Sequence, residues 1–153
     1  MDEIIRLVAA MDIRALMARR VRCLDEKDWA GFAACYADDA RSYTFAAGDN
    51  PDDVLVGGSA IAARVAKTLD GVATVHQVHE PEIVIEDETH ARAIWPLHDR
   101  LLHKATGAVM RGFGHYRQRY EKRDGRWLIV EQRLTRLWVE RNGEIEADFP
   151  VPD

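Results

Sequence analysis

A chain of 153 residues with 47% hydrophobic and 31% charged residues suits one domain over residues 1–153, long enough to bury roughly 70% of the surface its unfolded form exposes. The formal net charge of −5, with no basic patch, argues against a nucleic-acid partner, whose phosphates would be repelled. No apolar run approaches the roughly 20 residues needed to span a bilayer and the first residues lack a secretory pattern, so no membrane association and a cytoplasmic location are expected.

In chain order, Asp12 reads as the cap of a helix over residues 13–26, where Ile13, Leu16, Met17, Val21 and Leu24 recur on one face. Arg19, Arg20 and Arg22 are followed by Asp25, Glu26 and Asp28, which reads as a mixed, solvated face. Cys23 and Cys35 fall in predicted helices and fit buried thiols better than a disulfide. Asp28 caps a second, short helix through Trp29, Phe32 and Tyr36, and Arg41-Ser42-Tyr43-Thr44-Phe45 has the β-branched and aromatic content of a strand. Residues 48–53 read as a loop. Ser59 then begins a third helix carrying Ile61, Val65 and Leu69, which Asp70-Gly71 ends.

From Val72 onward the pattern is that of strands: Thr74-Val75-His76-Gln77-Val78, Glu82-Ile83-Val84-Ile85, then residues 91–102, 109–120 and 127–139, with Asp87-Glu88, residues 104–107 and Arg123-Asp124-Gly125 as turns. Three helices followed by long antiparallel strands give an α+β plan in which helices cover one face of a strongly curved sheet. Such a sheet forms a cone open at one end, a place for a small-molecule pocket. If Trp127 and Ile129 point into the core, period 2 puts Glu131, Arg133 and Thr135 on the same face. Trp95, Phe113, Tyr116 and Trp138 are candidate pocket walls or core fillers. Leu101, Val109, Leu134 and Leu137 are candidates for an outward face in need of cover. Gly112-Phe113-Gly114-His115 is strand-embedded and reads as a bend.

Three residues stand out as candidates for proton chemistry. Asp25 ends the first helix, where the dipole does not favour a carboxylate, so partial burial should push its pKa upward; a solvated helix-end aspartate is the alternative. His76 sits in a strand between valines, either as an acid/base group working near neutrality or as a hydrogen-bonded core residue. Asp99 follows the apolar stretch of residues 93–97 and could converge on the other two. His79, three positions beyond His76, would face the other side of a regular strand. The six histidines show no metal-ligand spacing, and neither a Gly-x-Gly-x-x-Gly nor a phosphate loop occurs, so neither a metal nor a nucleotide cofactor is expected.

The order of elements, with Leu24-Asp25-Glu26-Lys27-Asp28-Trp29, Tyr36-Ala37-Asp38-Asp39-Ala40, Thr74-Val75-His76 and residues 120–127, resembles the SnoaL-like branch of the nuclear transport factor two-like superfamily. This branch includes scytalone dehydratase, bile acid 7α-dehydratase and hexachlorocyclohexane dehydrochlorinase. The resemblance covers roughly residues 8–139 and implies a cone-shaped α+β barrel, three N-terminal helices on a mixed, mostly antiparallel sheet. It implies a catalytic Asp-His dyad at Asp25 and His76, with an acid at Asp99 and an arginine at Arg133. A tyrosine common one turn before the aspartate is replaced here by Arg20 or Val21, and Tyr43 is the hydroxyl expected to stand in for it. The implied activity is a cofactor-independent lyase, dehydratase-like, on a hydrophobic cyclic, steroid-like or aromatic-precursor small molecule. An isomerase or polyketide cyclase using the same base, or a non-catalytic module like the small subunit of a ring-hydroxylating dioxygenase, are the alternatives. A homodimer or homotrimer is expected from the same relatives.

Overall fold

The computed structural model describes residues 1–45, 53–147 and 149. Helix α1 (Glu3–Glu26) starts well before the cap expected at Asp12, because Asp2 accepts from the Ile4 N–H at 3.1 Å. Its first turns carry Ile4, Leu7, Val8 and Met11 at helical spacing, but hold them in solvent rather than in the core. The stripe begins at Ala9 and Ile13 and continues through Leu16, Met17, Arg20 and Leu24. Lys27 ends the helix in the left-handed region at φ 62°, its N–H returning to Cys23 and Leu24.

Helix α2 (Trp29–Ala33) is capped by Asp28 as expected, with the Gly31 N–H donating to its carboxylate at 2.9 Å. It ends sooner than the sequence suggested, and Tyr36 opens strand β1 (Tyr36–Ser42) rather than closing the helix. The expected strand over residues 41–45 is therefore displaced toward the N-terminus. Strand β2 (Leu55–Val56), helix α3 (Gly58–Thr68) and strands β3 (Val72–Val78), β4 (Glu82–Ile85), β5 (His90–His103), β6 (Val109–Arg123), β7 (Arg126–Arg141) and β8 (Glu144–Glu146) follow. The loop expected at residues 48–53 lies outside the described residues except for Asp53. Both cysteines are buried and free.

The eight strands form one curved mixed sheet in the order β2-β1-β7-β6-β5-β3, with β4 also on β5 and β8 on β7. Only β1 and β7 run parallel; the other pairings are antiparallel. This is the α+β cone read from the sequence. Alternation works as expected through β3 and β5, which turn Thr74, Trp95, Leu97 and Asp99 inward.

Strand β7 breaks that alternation. Trp127 and Ile129 are buried as expected, but Tyr120 pairs with Ile129 while Arg119 pairs with Glu131. Val130 is thus an extra residue, a bulge, and the side chains that follow it, as far as the next irregularity, change face. Gln132, Leu134 and Arg136 turn inward in place of Glu131, Arg133 and Thr135. A second register shift, between Phe113 and Gly114, makes Leu137 extra and returns Val139 to the core. Gly114 is fitted to that step, since a side chain there would collide with the Thr135 carbonyl. Leu101 and Leu134, expected outward, line the interior instead, whereas Leu137 does face solvent. Among the described residues no helix is long and apolar enough to cross a membrane.

Candidate active site

Asp25 reaches His76 from the last turn of α1. Its Oδ1 lies 2.7 Å from His76 Nδ1, its Oδ2 accepts the His76 backbone N–H at 2.9 Å, and the Thr74 hydroxyl donates to Oδ1 at 2.9 Å. Lys27, held by its left-handed cap conformation, donates from Nζ to the Thr74 oxygen at 2.9 Å. A carboxylate only accepts hydrogen bonds, so Nδ1 carries a proton toward Asp25 and Nε2 is the ring nitrogen left for proton exchange.

This surrounding corrects the pKa direction expected for Asp25. Burial does push the carboxyl up, but the His76 ring and backbone donors and the Thr74 hydroxyl outweigh it, and the net shift is downward. A depressed carboxyl stabilises the fold above its unfolded pKa of about 4, and that stabilisation is lost as pH falls through the lower folded value. Asp25→Asn should accordingly melt earlier than the wild type at pH 7, with the gap closing as the pH is taken down through and below the ordinary carboxylate range of about 4. Melting curves across that range that stay parallel would contradict this.

The register of the sheet brings the second carboxylate to the other side of the imidazole. His76 pairs with Asp99 across β3 and β5, and Asp99 pairs with Gly112 across β5 and β6. Asp99 is 3% exposed, with Oδ2 at 4.0 Å from His76 Nε2. It is held by Arg136 through two parallel bonds of 2.5 and 2.8 Å, the bidentate geometry that suits guanidinium and carboxylate. Gly112 makes room for that pair, because a methyl group there would strike both Asp99 and Arg136. Burial lowers the pKa of Arg136, but the bonds to Asp99 raise it further than burial depresses it.

Arg133, the arginine implied for the site, is not the one that holds Asp99. The bulge at Val130 puts it on the other face, where its guanidinium lies over the Tyr43 ring at 3.8 Å and near Glu131 at 3.7 Å. Tyr43 therefore stands with Arg133 outside the cavity lining rather than among the polar groups of the site. Of the four candidate wall residues only Tyr116 lines the cavity. Trp95 is 4% exposed in the core and donates to the Tyr120 hydroxyl at 2.8 Å. Phe113 stacks between His98 and Trp138 on the outer face, at centroid distances of 4.5 and 4.3 Å. Period 2 already separates Phe113 from Tyr116, since positions three apart on a strand face opposite ways.

His76, Asp99 and Arg136 share a cavity of about 450 Å³ whose apolar walls include Leu24, Phe32, Ile61, Val65, Leu101 and Leu134. Its floor is a buried polar chain. Arg20 Nε donates to the Tyr36 hydroxyl at 2.7 Å, Tyr36 donates to Gln132 Oε1 at 3.1 Å, and Gln118 donates to the same oxygen at 2.7 Å. Burial pushes the Tyr36 phenol up to about 12, against the opposing pull of Arg20. A larger depression of about 490 Å³ lies between α2, the start of α3 and the β6–β7 turn. The dyad is not part of its lining, so the cone cavity is the place where acid/base groups and an apolar wall coincide. Among the described residues no cluster of three or more His, Cys, Asp and Glu side chains could hold a metal ion.

Arg20, Arg136, Thr74 and Lys27 are the members of this site absent from the sequence-derived set. Arg20 had a visible signal, since it falls three and four positions from Met17, Leu16 and Leu24 on the buried stripe. Arg136 had none, because nothing in the sequence marks the bulge at Val130.

Residues 6–133 match the sequence profile of the SnoaL-like domain. Several solved structures share the fold. A candidate scytalone dehydratase from Novosphingobium aromaticivorans superposes with a TM-score of 0.82 at 18% identity, covering 97% of each chain. A hexachlorocyclohexane dehydrochlorinase from Novosphingobium barchaimii gives 0.81 at 15% identity over 99% of this chain and 100% of the other. A candidate aromatic ring hydroxylase from Novosphingobium aromaticivorans gives 0.75 at 14% identity over 90% and 91%.

Proposed function

The chain belongs to the SnoaL-like family, and from that premise we propose that it is a cofactor-independent, dehydratase-like lyase for a cyclic, steroid-like or aromatic-precursor small molecule. The observation that carries this reading is the oriented imidazole: Nδ1 fixed on Asp25 at 2.7 Å, with His76 lining an otherwise largely apolar cavity. A base needs a free lone pair, a fixed tautomer and a counter-charge for the cation it becomes.

In this mechanism His76 Nε2 removes a proton from a ring carbon next to a carbonyl. The C–H pair becomes the new double bond, the C–O bond to the leaving hydroxyl breaks, and the imidazolium returns its proton to that oxygen, so that water departs and the ring is neutral again. Asp25 holds Nδ1–H throughout and stabilises the imidazolium. Asp99, 4.0 Å from Nε2, supports the charged ring from the other side and is itself fixed by Arg136. Arg136, which lines the cavity in place of Arg133 and Tyr43, is the cation that would stabilise charge developing on oxygen. Tyr116 supplies aromatic wall.

Mass spectrometry of the purified protein with a panel of hydroxylated cyclic ketones and steroid-like compounds tests the reading. The expected product is lighter than its substrate by one water. A product of unchanged mass would replace the lyase with an isomerase using the same base, and no conversion across a broad panel would speak against an enzyme of this class.

A further inference from the structure

Among the described residues, one cation of the cavity has no counter-ion. Arg20 is 2% exposed, and its Nη1 has no hydrogen-bond partner. Its Nε is spent on the Tyr36 hydroxyl and the Tyr116 hydroxyl also supports the group, while its guanidinium faces aromatic rings: Tyr116 at 4.5 Å, Phe32 at 5.3 Å and Tyr36 at 5.7 Å. The carboxylates of the site are engaged elsewhere, Asp99 by Arg136 and Asp25 by His76. Tyr36 offers no negative charge, since burial keeps its phenol protonated up to about pH 12. An arginine does not lose its proton in a protein, so the charge remains and is uncompensated.

A buried cation with an idle donor is costly unless something arrives to pair with it. Rings satisfy the face of a guanidinium but not its N–H groups. We propose that the occupant of this cavity is an acid, and that its carboxylate is bound by Arg20 while its apolar ring lies along Phe32 and Tyr116. This deepens the lyase reading by giving its substrate a charge, and it makes Arg20 the specificity-determining residue. The carboxylate stays bound and takes no part in the proton transfers. Among the described residues the third arginine of the lining is Arg141, which is exposed and paired with Glu146 at 3.4 Å.

Binding rather than turnover tests the proposal, with 2-naphthoate and the nearly isosteric 2-naphthamide titrated calorimetrically into the full chain at pH 7.5. The wild type should bind the naphthoate roughly tenfold or more tightly than the amide, the scale of one charge-assisted hydrogen bond in a desolvated site. Arg20→Gln should erase the preference and Arg141→Gln should keep it. Equal affinity for the two compounds, preference for the amide, or no binding of either to wild type overturns the proposal. So does a naphthoate preference that survives Arg20→Gln or disappears with Arg141→Gln. Should Arg20→Gln not fold, the wild-type comparison and Arg141→Gln still decide. A chain that prefers the naphthoate but converts no hydroxylated ketone would defeat the lyase reading and leave this inference standing.

Discussion

Arg136→Met is expected to lower the unfolding free energy by about 3–5 kcal/mol near neutral pH, the usual cost of removing one partner of a buried ion pair. The reason lies in what is left behind. Asp99 is 3% exposed and both its oxygens are committed to the guanidinium, so methionine would strand a carboxylate where water does not reach it. The deficit should shrink as the solution is acidified, because an unpaired Asp99 escapes by taking up a proton. A companion variant separates this from a packing defect. Asp99→Leu combined with Arg136→Met removes both charges, and since buried pairs replaced by apolar side chains are often neutral in stability, most of the loss should be recovered. Urea unfolding of the three variants checks the cycle. A cost below about 1 kcal/mol for Arg136→Met would mean that the pair behaves as a solvated surface bridge.

How much of this was legible beforehand depends on whether a regular period was enough. The helical stripe of α1, the alternation of β3 and β5, and the cap at Asp28 follow from spacing alone, and they place Asp25, His76 and Asp99 correctly on their elements. Their meeting did not follow from spacing. It needs the register that sets His76 opposite Asp99, and register is a property of paired strands that one strand does not display. The errors in β7 have one cause. A single extra residue at Val130 inverts the faces from there to the second bulge at Leu137, which puts Arg136 rather than Arg133 in the cavity lining. Nothing local distinguishes Val130 from its neighbours, because a bulge is stabilised by the partner strand. The sequence suggests a bend at Gly112, whereas its lack of a side chain is what admits the Asp99–Arg136 pair. Arg20 is a different kind of miss. Its helical position is on the buried stripe, but the arginines and carboxylates around it carry the pattern of a solvated face.

The dyad itself rests on a division of labour between two nitrogens of one ring. Nδ1 is occupied by Asp25 at 2.7 Å, and the side chain of His76 is 7% exposed, so the ring cannot turn without losing a charge-assisted bond. Nε2 is the atom that would exchange protons with a substrate. Glutamine at position 76 can still donate to Asp25 through its amide but has no basic nitrogen at neutral pH. General acid/base groups of this kind contribute about 10²–10⁴ in rate. The most direct measurement is therefore the kcat of His76→Gln on a compound the wild type converts, taken alongside its melting temperature. A fall of about 10²–10⁴ in kcat with the fold retained is the predicted result; turnover within twofold of the wild type would show that His76 is not the base.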